Sequence, residues 1–223
     1  MGSRCLKRME VFYRLETVAA PVLTNRPSGR YVQGGVRNPE RTKESILLAA
    51  ERLIALKGIQ TLTLEEVASG ASVSKGGLLH HFASKQALIA GLAERMIREH
   101  EQEIETYRQK DPAGPGAYTR AFLRTNLAFA DECTQVCATL TAESRNFPAM
   151  REMFQNYAAK CQEKCEQDGL DPVAASVVRY AVEGLMSAAI WGMPRPSNYD
   201  AIVDHLMNLA GARPYPKTKK SPK

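Results

Sequence analysis

The chain of 223 residues contains no uninterrupted apolar run near the roughly 18 residues that a bilayer-crossing helix needs. Its opening stretch, MGSRCLKRMEVFYRLE, lacks the continuous apolar centre of a secretory signal. The expected location is therefore the cytoplasm, with no membrane partner. Cysteines number five, an odd count, and reduced thiols rather than a disulfide framework are expected there. Alternating apolar and polar residues, the mark of a half-buried strand, are missing. Acid, base and nucleophile never fall into a catalytic grouping, and the pair Gly76-Gly77 has neither the flanking strand nor the full spacing of a phosphate-binding loop. An enzyme is not expected, nor a cofactor or a metal site.

What is present is charge, unevenly placed. The formal charge is +6. Residues 1–37 carry seven Lys/Arg against two Glu, residues 86–211 twelve against seventeen, and residues 212–223 five against none. Basic termini flank an acidic body, which permits a nucleic-acid partner without demanding one.

Residues 1–37 mix proline and glycine with scattered arginines and read as a flexible basic extension. Arg26, Arg30 and Arg37 could serve a minor-groove arm there, or the segment is an over-long start. From Asn38 a helix begins, with Pro39 and Glu40 suited to its first turn; Ile46, Ala49, Ala50, Leu53 and Leu56 recur on one face, and Gly58 closes it. Thr63 and Glu66 form a capping-box pair at the head of a second helix carrying Leu64, Val67 and Ala68. A turn at Gly70-Ala71-Ser72 leads past Val73, a core plug, to Ser74, which caps a short third helix ending near His81, with Leu78 and Phe82 turned inward. Ser84 caps a long helix to about Arg108, roughly 40 Å in length at about 1.5 Å per residue. Its far half, REHEQEIETYRQK, is charged almost all round and is expected to be solvated or to bridge two parts of the molecule.

Asp111 to Gly116 reads as a linker, and helices are expected over about 117–131, 133–144, 148–168, 172–192 and 198–211. The fold class is all-α. The expected division is an extension over 1–37, a helix-turn-helix head over 38–85 with its linking helix over 84–109, a helical body over 110–211 and a disordered basic tail over 212–223.

The stretch Thr63–Lys85 supplies what a DNA reader needs: a helix small enough for the major groove, a brace, and phosphate donors. Thr63 and Ser74 offer hydroxyls at helix starts, Lys75 and Lys85 offer charge, Gly76 and Gly77 let backbone approach closely, and His80 and His81 can donate to phosphates or base edges.

Residues 41–99, and within them ASVSKGGLLHHF from Ala71 to Phe82, resemble the DNA-binding domain of the tetracycline-repressor-like (TetR) family of bacterial transcriptional regulators. The resemblance implies DNA contacts at Thr42, Thr63, Ser74, Lys75, Gly76, His80, His81 and Lys85. It departs where Gly77 replaces a frequent threonine and Leu79 a common tyrosine; Leu79 can still meet a thymine methyl. It further implies a ligand-responsive repressor that binds a pseudo-palindromic operator as a homodimer, with a pocket in the C-terminal domain for a small, largely apolar molecule. The rival expectation is a dimeric helical ligand-binding or interaction module with a degenerate head.

Candidate pocket residues are Phe122, Phe129, Tyr157, Met186, Trp191 and Met193, all of types that also build ordinary cores. Val173, Val177, Tyr180, Gly184 and Ala188 mark one face of a helix, and Ile202, Leu206 and Leu209 a similar face of the last helix; together they are the expected dimer interface. Cys133 with Cys137 and Cys161 with Cys165 stand four apart, so each pair shares a helix face, which suits ordinary packing or a thiol sensor.

Overall fold

The computed structural model describes residues 38–111, 114–132 and 134–211, with the side chains of 130–135 and 137 also outside the description. The terminal segments, with Arg26, Arg30 and Arg37, and the Cys133–Cys137 pair therefore lie outside the described residues. Those described fold into helices only, as the absence of alternation predicts: α1 (Pro39–Lys57), α2 (Leu64–Gly70), α3 (Lys75–His81), α4 (Lys85–Lys110), α5 (Ala117–Glu132), α6 (Thr134–Glu143), a 3-10 turn (Ser144–Asn146), α7 (Pro148–Glu166), α8 (Pro172–Ile190) and α9 (Tyr199–Leu209).

Helix starts follow local chemistry. Asn38, Thr63, Ser74, Ser84 and Asp171 each accept a backbone N–H from the following turn, satisfying donors that have no partner inside the helix. The turn between α2 and α3 places Ser72 in the left-handed region at φ 56°.

Two apolar cores form. The first gathers Ile46, Leu47, Ala50 and Ile54 of α1, Val67 and Ala68 of α2, Leu78 and Phe82 at α3, and Leu88, Ile89, Leu92 and Ala93 of α4. Gly91 lets α4 lie against the ring of Phe82; a Cβ there would sit 2.5 Å from a ring carbon. Leu56, expected on the inner face of α1, is 78% exposed, and Leu47 and Ile54 take the inner positions. Leu140 of α6 and Met150 of α7 are also members of this first core. The head thus borrows apolar surface from the body.

The second core joins Ile104 of α4 to Ala121, Phe122 and Leu123 of α5, Cys161 of α7, Val178 and Val182 of α8, and Leu206, Met207 and Ala210 at α9. The far half of α4 is consequently a bridge: Ile104 is buried and Tyr107 half-buried, whereas all-round solvation would leave both exposed. The described ends of the segment read as a linker are fastened down. Asp111 Oδ2 accepts from Arg120 Nε at 3.0 Å and from Arg124 Nη1 at 2.8 Å, and Arg120 Nη1 donates to the carbonyls of Pro115 and Ala210 at 2.8 Å each.

By length and composition α8 is apolar enough to cross a membrane, with a mean hydropathy of 1.4 over its best window. Arg179 and Glu183, paired at 2.7 Å, interrupt it. Its apolarity lies on two faces, one packed into the second core and one turned outward and exposed.

Candidate nucleic-acid interface

α3 is seven residues long and buries one of them fully, Leu78. Lys75, Gly76, Leu79 and His80 are exposed together, at offsets of one and four that share a helical face. A Cβ built on Gly76 would meet nothing within 4 Å, so internal packing does not demand glycine there. Gly77 differs: its N–H donates to Ser74 Oγ at 3.0 Å, and a Cβ would lie 3.2 Å from that oxygen. Leu79 is 38% exposed, a large apolar side chain held at the surface beside His80. His81 is half-buried, its ring edge-on to His80 with centroids 5.6 Å apart.

The cations around α3 are tied to acceptors within the head. Lys75 Nζ pairs with Glu65 of α2. Lys57 Nζ pairs with Glu66 at 2.5 Å, holding the Glu66 carboxyl down at about 2, with Thr63 contributing next. Lys85 Nζ donates to the Gln60 carbonyl at 2.9 Å; partial burial, with the charge of Lys57 nearby, holds it below the ordinary lysine range. Thr42 Oγ1 donates to the Asn38 carbonyl at 3.3 Å.

Thr63 is more committed than its sequence reading allowed. Its hydroxyl donates to Glu66 Oε2 at 2.5 Å and accepts the Glu66 N–H at 3.3 Å, while its own N–H donates to the same carboxylate at 3.2 Å. The capping box uses the donors expected to meet a phosphate, and Glu65 and Glu66 place negative charge in that first turn.

Two polar systems join the head to the rest of the chain, and the sequence reading named neither. Arg95 of α4 is buried and faces Glu44 at 3.2 Å and Glu51 at 3.4 Å on α1, and Glu99 at 3.0 Å on its own helix. Gln60, in the loop before α2, donates through Nε2 to Glu143 Oε2 at 2.6 Å, and Asn146 donates to the same oxygen at 2.6 Å.

In the body the structure brings Phe122, Phe129 and Tyr157 together around His100 of α4, all three rings edge-on to the imidazole at centroid distances of 5.7–6.1 Å. Asn126 Nδ2 donates to the Phe122 carbonyl at 2.8 Å, which aims its Oδ1 at His100 Nε2, 3.3 Å away. Nε2 therefore carries the proton and Nδ1 accepts the Tyr157 hydroxyl at 2.6 Å. Burial pushes the imidazole down to about 4, so it is neutral at ordinary pH.

Met186 is half-buried against the second core, but Trp191 and Met193 do not join that aromatic group. Trp191 is 76% exposed and continues an outward stripe on α8 with Val173 at 69%, Val177, Tyr180 at 61% and Gly184. Ala188 is half-buried. Leu206, expected at the dimer interface, is buried in the second core of its own chain, and Ile202 and Leu209 pack against that core as well. Periodicity placed α9 on an apolar face correctly without revealing which partner covers it.

Cys161 and Cys165 are buried free thiols. Desolvation pushes Cys165 up to about 11, the opposite of what a reactive thiolate requires. Among the described residues no group of three or more His, Cys, Asp or Glu is placed to hold a metal ion.

A short exposed helix braced across a second one, on a three-helix head continuous with a helical body, defines a helix-turn-helix protein. Residues 46–92 match the family model described as bacterial regulatory proteins, tetR family, and residues 116–211 match that of the tetracyclin repressor-like C-terminal domain. The chain belongs to the TetR family and is a DNA-binding, one-component transcriptional regulator. An HTH-type regulator in the dhlA 5' region of Xanthobacter autotrophicus is 26% identical over 192 residues, covering 79% of this chain and 92% of that protein. YerO of Bacillus subtilis is 42% identical over 55 residues, which span 25% of this chain and only 19% of YerO. Among solved structures, a TetR-family regulator from Mesorhizobium loti superposes with a TM-score of 0.60 at 19% identity, over 78% of this chain and 95% of the other, a likeness of fold.

Proposed function

We propose that the protein is a ligand-responsive repressor that grips a pseudo-palindromic operator as a homodimer, one α3 per half-site. The observation that carries this reading is the exposed face of α3: Lys75 and His80 offer donors, Leu79 an apolar contact, and the open space over Gly76 admits a DNA backbone. Ser74, Gly77, His81, Lys85 and Thr42 complete the proposed contacts, and Thr63 acts through the capping box. Residues 38–85 serve as the head, α4 as the link and 110–211 as the body. The outward stripe of α8 supports the dimer, because a row of exposed apolar residues broken by Gly184 suits close approach of an identical helix. A twofold arrangement would set the two α3 helices about 34 Å apart, one turn of DNA.

The inducer in this reading is small and largely apolar, and it enters among Phe122, Phe129, Tyr157 and Met186. It opens the His100–Tyr157 hydrogen bond and acts on α4, which belongs to both cores. An inducer weakens DNA binding only by its differential affinity for the two states.

Selection of genomic fragments with the purified full-length protein tests the operator. An inverted repeat with half-sites one turn apart is expected, and the absence of any enriched repeat at moderate salt sinks the reading. Leu79→Ala is expected to relax sequence preference while leaving the salt dependence unchanged.

A further inference from the structure

We propose that Glu65 competes with DNA for Lys75 and thereby limits how firmly the head holds any duplex. The inference rests on the DNA-binding reading of α3. Lys75 is the first residue of α3 and Glu65 the second of α2, and their side chains form an ion pair across the helix-turn-helix. Both are more than half exposed, so the pair is accessible to an incoming phosphate. A lysine ammonium cannot keep the carboxylate in place and also approach a phosphate along the same direction. Binding therefore exchanges one anion for another.

Comparison with the neighbouring pair isolates the role of Glu65. Glu66 also accepts from Lys57, but it serves the capping box with Thr63, so α2 depends on it. Glu65 takes no part in the Thr63–Glu66 box; Lys75 is the side chain it pairs with, and its own backbone N–H is its next partner. The pull of Lys75 holds its carboxyl below the usual range, so it stays ionised and competes at every ordinary pH. An exposed pair is weak, and breaking it costs at most about fivefold in affinity. The effect applies to all sequences alike, because a phosphate carries no base identity. Glu65 thus lowers nonspecific and specific binding in parallel, and it makes the salt dependence shallower: added salt loosens the internal pair while it also weakens the DNA contact.

The test uses the full chain, a duplex of random sequence and a fragment recovered by selection, with binding followed by fluorescence anisotropy from low to moderate salt. Glu65→Gln is expected to bind both duplexes about twofold to fivefold more tightly at low salt, with a salt slope steeper by up to about one unit. Its thermal unfolding should shift only slightly, through loss of one first-turn charge, since the Thr63–Glu66 cap is untouched. In a Lys75→Ala background the gain from Glu65→Gln should largely vanish. Unimproved binding by Glu65→Gln beside a wild type that does bind overturns the inference alone. A gain that persists undiminished without Lys75 also overturns it, because Glu65 would then be a general repulsive charge. A gain confined to one sequence overturns it too, since Lys75 would then be reading a base. A wild type that binds neither duplex removes the DNA-binding reading and the inference with it.

Discussion

Gln60 Nε2 donates to Glu143 Oε2 at 2.6 Å, joining the loop ahead of the helix-turn-helix to the last residue of α6. The contact sits above a deeper one, where Leu140 and Met150 complete the head core. Glu143→Ala removes an acceptor used by both Gln60 and Asn146 at an exposed site and should cost about 1 kcal/mol. Leu140→Ala leaves a cavity in the head core and should cost about 3 kcal/mol in urea unfolding. Hydrogen exchange supplies the decisive observation for Leu140→Ala: amides of α1 and α4 near Ile46 and Ile89 should lose protection. Unchanged protection there would mean that the shared core does not support the head.

Acid should destabilise the protein through His100. Its folded value of about 4 lies below the ordinary 6.5, so between those values the unfolded chain binds more protons than the folded one. Stability is complete above about pH 6.5 and falls as pH drops toward 4, by about 3 kcal/mol in all. His100→Gln should flatten the stability profile between pH 5 and 7, a range well above the titration of Glu66 at about 2. An identical slope in wild type and variant would show that other groups carry it.

The outward stripe of α8 should be the dimer contact. Tyr180→Glu introduces an unpaired charge in the middle of it, and sedimentation should show the monomer increasing. Operator affinity should fall by at least about tenfold, because each head would then bind without its linked mate. A variant that remains dimeric at micromolar concentration would place the interface elsewhere.

Thiol chemistry should leave Cys161 and Cys165 untouched in the native protein. Cys161 and Cys165 are buried, and the Cys165 thiol is pushed up to about 11, so a disulfide-exchange reagent at pH 8 should modify them only after unfolding. Peptide mapping after a brief native exposure checks this. Fast native modification of Cys165 would restore a redox-sensing role.

Helix boundaries were legible in the sequence because the caps that fix them are local: Asn38, Thr63, Ser74, Ser84 and Asp171 act within three residues of themselves. The short helix after Ser74, with Leu78 turned inward, was legible for the same reason. Packing partners were not. Leu140 and Leu206 both carry an apolar signal, and nothing in their spacing says that one completes a distant head while the other closes its own body. The far half of α4 was obscured by residue type. His100, Ile104 and Tyr107 stand at offsets of four and three on one helical face, but the ring nitrogens and hydroxyl made that stripe look polar. Trp191 was assigned to a pocket on its chemistry, although the row Val173, Val177, Tyr180 and Gly184 that it extends is legible at helical spacing; what the structure adds is that the second core takes the other side of α8 and leaves this row exposed. Internal ion pairs such as Lys75 with Glu65 are three-dimensional facts that charge counting cannot supply.

Because α4 is one unbroken helix whose first turns lie in one core and whose later turns lie in the other, it fixes an angle as well as a distance. Each residue added between Ala93 and Ile104 would turn the body by roughly 100° relative to the head. The length of that segment can therefore change only in steps that keep the heads of the proposed dimer on the same side of the duplex.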